Sequence, residues 1–96
     1  MTEYRISNAA KEDLRRIYVY GVEQFGEALA DEYFHTFFAT FKKIAHHPYL
    51  YQSIDHTRPG YRRCPCGADN IYYRIKDDTI EIMAILDSQD TLSGLS

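Results

Sequence analysis

Four groups of residues in this 96-residue chain have side chains from which an active site could be built. Cys64-Pro65-Cys66 offers two thiols for a metal or a disulfide. His46-His47 offers a general base, and Glu23, Glu27 and Asp31 offer carboxylates at intervals of four. The stretch RPGYRRCPCGADNIYYRIK gathers Arg58, Arg62, Arg63, Arg74 and Lys76 among tyrosines.

The first three groups have simpler readings. A disulfide between residues two apart closes a very tight ring, and a zinc site needs four ligands, normally with wider cysteine spacing. His35, His46, His47 and His56 are scattered over a helix and a loop, so the cysteines read as small, half-buried strand residues. No metal and no cofactor is expected. His46 and His47 are adjacent, point in different directions and sit where a helix C-terminus favours positive charge. The carboxylates every four residues read as one solvated face. Tyr33, Phe34, Phe37, Phe38 and Phe41 carry no interleaved arginine and read as core, not as a platform for stacking bases.

The arginines remain. Residues 58–76 carry five cations against Asp69, a local +4 that leaves −7 for the rest of a chain whose net charge is −3. An acidic protein with one basic segment suits a particular partner better than nonspecific phosphate binding, so no direct specific nucleic-acid binding is expected. Arg62 and Arg63, adjacent on a strand, point to opposite faces. Arg74 sits among tyrosines in a strand expected to be central, where it needs a carboxylate, a hydrogen-bond network or a partner. Tyr61, Arg62, Arg63, Tyr73 and Arg74 are therefore the candidate partner-binding residues, arginine supplying planar charged donors and tyrosine rigid contact area. No catalytic residue is assigned.

The elements that position them follow from periodicity. EYRIS alternates as a short strand. Ser7 or Asn8 caps a helix with Glu12 and Asp13 expected in its first turn and Ala10, Leu14, Ile17, Tyr18, Gly21 and Phe25 along one face. Gly26 closes it, and a second helix with apolar residues from Ala30 to Ala45 runs to about His46, since Pro48 restricts His47. PYLYQSIDHTRPG reads as a loop. Tyr61 to Cys64, Asn70 to Ile75 and Ile80 to Leu86 read as three antiparallel strands, joined at CGAD and KDDT. Ile80, Ile82, Ala84 and Leu86 are expected on one face. The fold class is α+β: an N-terminal strand and an antiparallel helical hairpin on a small twisted antiparallel sheet, one domain over 1–90 with a loose tail at 91–96. No membrane-length apolar run or secretory signal is visible, which makes a cytoplasmic location the expectation.

ISNAAKEDLRRIYVYGVEQFGEALADEYF, HHPYLYQSIDHTRPGYRR and NIYYRIKDDTIEIMAIL, in this order and spacing, resemble the ParE branch of the RelE/ParE toxins of type II toxin–antitoxin modules, from about Tyr4 to Asp90. The resemblance implies a cognate ParD-like antitoxin with a DNA-binding N-terminal part and a flexible segment that wraps the toxin. It also implies DNA gyrase as target, reached by binding and not by catalysis. Family members often carry a basic residue where Ala84 stands, a Gly-Arg or His-Arg pair in place of Asp87-Ser88 before Gln89-Asp90, and a His near Asp69. RelE-like relatives instead cut mRNA on the ribosome with groups on the sheet and its C-terminal end, whereas no Lys, Arg or His follows Lys76 here. The expected function is a gyrase-directed toxin. The alternatives are a RelE-type ribosome-dependent mRNA endonuclease and a weakened relic that serves its antitoxin as co-repressor.

Overall fold

The computed structural model describes residues 3–88. Gln89-Asp90 and the 91–96 tail lie outside the described residues. In order the elements are β1 (Tyr4–Ile6), α1 (Asn8–Phe25), α2 (Glu27–His46), β2 (Gln52–Ser53), β3 (Tyr61–Cys66), β4 (Asp69–Lys76) and β5 (Thr79–Asp87). The sheet runs β1-β5-β4-β3-β2. β3, β4 and β5 form an antiparallel meander, but β1 joins β5 in parallel, so the sheet is mixed and not purely antiparallel. The helical connection makes this possible: a chain leaving β1 must cross the sheet through the hairpin before it returns alongside. The segment expected to be loop throughout contributes β2, two residues paired with Arg62 and Arg63.

Ser7 caps α1, its Oγ accepting from the Ala10 amide at 3.0 Å. The helix begins at Asn8, so Glu12 and Asp13 fall beyond the first turn. Asp13 instead reaches the sheet, where its Oδ2 accepts from the Ile85 amide at 2.9 Å. Gly26 (φ 89°) ends α1 and begins α2, which splits Glu23 from Glu27 and Asp31. They line no single helix face. The helices touch at Gly21, where an added Cβ would lie 3.3 Å from the Ala30 Cβ.

The apolar stripes of both helices meet one face of the sheet. Ala10, Leu14, Phe37, Phe41 and Ile44 pack with Cys64, Ile71, Tyr73, Ile80, Ile82 and Ile85. Edge-on aromatic contacts link Tyr33 to Phe37 and Phe38 to Phe41 at 5.0 and 5.4 Å, a geometry that adds about 0.5–1.5 kcal/mol per pair beyond burial. Phe25, expected on the buried stripe, is 66 % exposed.

The expected single face of β5 is broken. Tyr72 pairs with Ala84 but Tyr73 pairs with Ile82, leaving Met83 as an extra residue. Beyond this bulge the alternation inverts: Ile85 enters the helix-side core, while Ala84 and Leu86 join Ile54, Tyr61 and Tyr72 on the outer face.

Both hairpin turns are tight. Asp77 and Asp78 have φ of 52° and 60°, the paired positive values of a type I′ turn. Gly67 has φ 59°, and a Cβ there would meet the Tyr33 ring at 2.4 Å. Gly67→Ala is expected to destabilise the fold by about 1–3 kcal/mol through strain and overpacking. Asp78→Gly should stabilise it by about 0.5–1 kcal/mol by relieving the left-handed conformation. Chemical denaturation of both variants checks the pair; equal midpoints would contradict this account of the turns.

Candidate functional site

Strand register sorts the five candidate residues onto two sides. On the outer face Tyr61 stands opposite Arg74, Arg74 opposite Glu81, and Glu81 opposite Arg5, forming one row across four strands. The next row runs Gln52, Arg63, Tyr72, Ala84. Arg62 and Tyr73 stand opposite each other on the helix side.

Tyr73 does not belong to a recognition surface. It is fully buried, and its hydroxyl donates to the Pro48 carbonyl at 2.6 Å. Burial raises its pKa above the ordinary phenol value, so it serves as a neutral anchor for the segment after α2. Tyr61 is 8 % exposed and forms part of the outer cluster. Arg62 sits at the helix-side rim with its guanidinium 5.1 Å from the Tyr49 ring centroid and one nitrogen donating to the Tyr51 carbonyl at 2.7 Å.

Arg63 and Arg74 are left as the outward cations of the original set. Arg74 Nε donates to Glu81 at 2.6 Å, with the side chains 38 % and 17 % exposed. The bond from Arg74 holds the Glu81 carboxyl below the usual carboxylate range. Arg63 donates to Gln52 Oε1 at 2.8 Å, while its Nε is buried without an acceptor among the described residues. Arg58 lies over the Tyr61 ring at 5.4 Å. The outer face is thus a tyrosine-floored surface bearing Arg5, Arg58, Arg63 and Arg74 around one carboxylate. Ala84 lies in it beside Tyr72 and adds no charge.

The cysteines are core residues, buried more deeply than expected, at 2 % and 5 % exposure, and unbonded to each other. Pro65 lies past the end of β2, where β3 needs no further amide donor on that edge. Burial pushes the Cys64 thiol up to about 11 and raises that of Cys66, the opposite of what a reactive thiolate requires. Among the described residues no three His, Cys, Asp or Glu cluster as a metal site.

A second surface went unnoticed in the sequence. Between the hairpin and the β3–β4 turn lies a cleft of about 650 Å³. Tyr20, Phe25 and Leu29, each more than half exposed, form its open wall. At its sheet end are Asp69 and Asp87, opposite each other across β4 and β5, with Arg16. The Tyr33 hydroxyl donates to Asp69 at 2.7 Å and accepts from the Ala68 amide at 3.0 Å, fixing the turn to α2. Only the exposure of Tyr20, Phe25 and Leu29 reveals the cleft. In the sequence, Phe25 fits the buried stripe and the other two sit on helix faces of no evident use.

Burial raises the Asp69 pKa; the Tyr33 bond opposes this, the Asp87 charge adds to it, and Arg16 opposes it again. A carboxyl whose folded pKa is raised costs stability above that pKa, and the cost disappears below its unfolded value. Asp69→Asn keeps an acceptor for Tyr33. It should melt higher than the parent near pH 7, with the difference vanishing below about pH 3. Parallel melting curves across that range check the sign, and a variant less stable at pH 7 would refute it.

Comparison with known proteins follows the same geometry. A family model described as the ParE toxin of type II toxin–antitoxin system, parDE, matches residues 4–92. Toxin ParE1 of Caulobacter vibrioides is 37 % identical over 86 residues, covering 90 % of this chain and 88 % of that one. Toxin ParE1 of Mycobacterium tuberculosis is 27 % identical, covering 88 % of each. A solved chain of the chromosomal ParDE TA system from P. aeruginosa superposes with a TM-score of 0.80 over 91 % of this chain and 96 % of that one, at 20 % identity, a likeness of fold. With the hairpin, the sheet and nearly the whole sequence matched, the chain belongs to the ParE toxin family of type II toxin–antitoxin systems.

Proposed function

We propose that this toxin acts by binding and not by catalysis, that its target is DNA gyrase, and that a cognate ParD-like antitoxin holds it inactive. The observation that carries the reading is the outer face, where Arg63 and Arg74 stand with Tyr61 and Tyr72 on one side of the sheet. Arginines backed by aromatic rings recognise acidic or phosphate-bearing surfaces through planar, directional hydrogen bonds.

Binding is also the chemistry these groups suit. Hydrolysis of RNA needs a base or acid at the 2′-hydroxyl. His35, His46 and His47 lie on or just beyond α2 and His56 lies in the β2–β3 segment, none of them on the outer rows. Arg74 is already held by Glu81.

Induced expression with and without the neighbouring antitoxin gene, scoring viability and DNA breaks together, tests the proposal. Killing accompanied by breaks and rescued by the neighbour is expected. Arg63→Ala and Arg74→Ala should each reduce killing by roughly tenfold or more; Arg63→Ala should melt close to the parent, whereas Arg74→Ala leaves the largely buried Glu81 unpaired and should cost about 1–3 kcal/mol. Killing with cleaved transcripts and intact DNA would replace gyrase with mRNA. Harmless expression with tight antitoxin binding would mark a co-repressor.

A further inference from the structure

Arg74 is tied to the molecule by only one corner of its guanidinium. Its Nε donates to Glu81 Oε1 at 2.6 Å, while neither terminal nitrogen has a hydrogen-bond partner among the described residues. The arginine side chain is 38 % exposed and the glutamate 17 %, so the carboxylate is the better buried member and the arginine is the one a partner can reach. The two terminal nitrogens form a planar fork whose spacing matches a carboxylate. Cations flank that fork. Arg5, exposed, stands opposite Glu81 across β1 and β5. Lys76, also exposed, lies two residues along β4 from Arg74 and therefore on the same face. On the other side Tyr61 stands opposite Arg74, with Arg58 over its ring. The Arg74 hydrogen bond holds the Glu81 carboxyl below the usual range against the effect of burial, and the charges of Arg74, Lys76 and Arg5 add to the lowering.

By charge alone, Glu81 weakens a surface built to meet an acidic partner, because it repels the ligand. What it supplies is orientation. A free arginine samples many rotamers that binding must stop, whereas a guanidinium already fixed through Nε loses less when its fork is occupied. We propose that Glu81 is a positioning residue for target recognition: it holds Arg74 so that both terminal nitrogens donate to one Asp or Glu carboxylate of the target, with Arg5 and Lys76 flanking it. The inference rests on the gyrase reading above and adds the chemical group recognised and the residue that orients its receptor. The occupant is a carboxylate and not a nucleic-acid backbone. One oriented fork meets one carboxylate, whereas a phosphate backbone is held by cations repeated along a track, and it repels a chain of net charge −3 at long range.

Purified DNA gyrase is the probe, titrated against the full chain at several salt concentrations, with duplex DNA alone in a parallel titration. Glu81→Gln and Glu81→Leu remove the same charge, but only the first keeps an oxygen that can accept from Arg74 Nε. Glu81→Gln should bind within about threefold of the parent, and Glu81→Leu about tenfold or more weaker. Arg74→Lys keeps the charge and loses the fork, and should bind roughly tenfold weaker with the parent's salt dependence. It can still pair with Glu81, so it keeps the test decisive even where Glu81→Leu melts low. If charge alone were at work, both Glu81 variants would bind more tightly than the parent and Arg74→Lys equally well. That result would overturn the inference while leaving the gyrase reading intact. Binding of the parent to duplex DNA alone, with the same order of variants, would overturn it by making phosphate the ligand. Failure of the parent to bind gyrase would remove both readings.

Discussion

The extra residue in β5 decides which residues reach which side of this molecule. β1 ends at Ile6, so β5 loses its parallel neighbour just where the bulge at Met83 begins. The exposed edge is taken over by α1. Ser7 Oγ donates to the Met83 carbonyl at 3.1 Å, Asp13 accepts from the Ile85 amide, and Arg16 reaches the Ile85 carbonyl. Three side chains, from the cap and the first half of α1, thus do what a longer β1 would do, and they close the edge to further strands. Without the extra residue Ala84 would point into the helix-side core and Ile85 out of it. A one-residue slip exchanges the faces of everything beyond it.

Because of that inversion the two faces are chemically distinct. The helix side holds Phe37, Phe41, Ile44, Ile71, Ile80, Ile82 and Ile85, all fully buried. Removing any one of the large side chains would cost on the order of 2–5 kcal/mol. The outer face has a thinner cluster of Ile54, Tyr61, Tyr72 and Leu86 beneath its arginines. Its Arg74–Glu81 pair is partly exposed, at 38 % and 17 %, and contributes less. Most of the buried apolar surface therefore lies on the helix side of the sheet, and Arg63, Arg74 and Glu81 stand on the other.

Much of this was legible in the sequence. Helix periodicity placed the hairpin, and Gly26 and Pro48 set its limits within a residue. Alternation found the meander, and of the carboxylate, hydrogen-bond network or partner expected for an arginine amid tyrosines in a central strand, the structure supplies a carboxylate, Glu81. The failures share a cause. A period of two continues unchanged through a bulge, so nothing in IEIMAIL announces that Met83 resets the faces. Knowing that Arg62 and Arg63 diverge did not reveal which one shares a side with Arg74. That depends on strand pairing, which put Tyr73 inside and Tyr61 at the outer surface. The parallel β1 and the two-residue β2 are too short for any local pattern. Phe25 fits the helical stripe, yet it lies at the tip of the hairpin, beyond the edge of the sheet that would have covered it.

The departures from the family pattern have different weights once placed on the fold. Ala84 lies in the row with Arg63 and Tyr72, so a basic residue there would extend the outer cationic surface directly. Asp87 lies on the helix side, opposite Asp69 and at the mouth of the apolar cleft. The resemblance puts Gly or His at this position and Arg at Ser88, so Asp87 adds a carboxylate at the cleft's end. The two substitutions thus act on different surfaces: one thins the positive charge of the sheet, and the other sets the sign of the cleft.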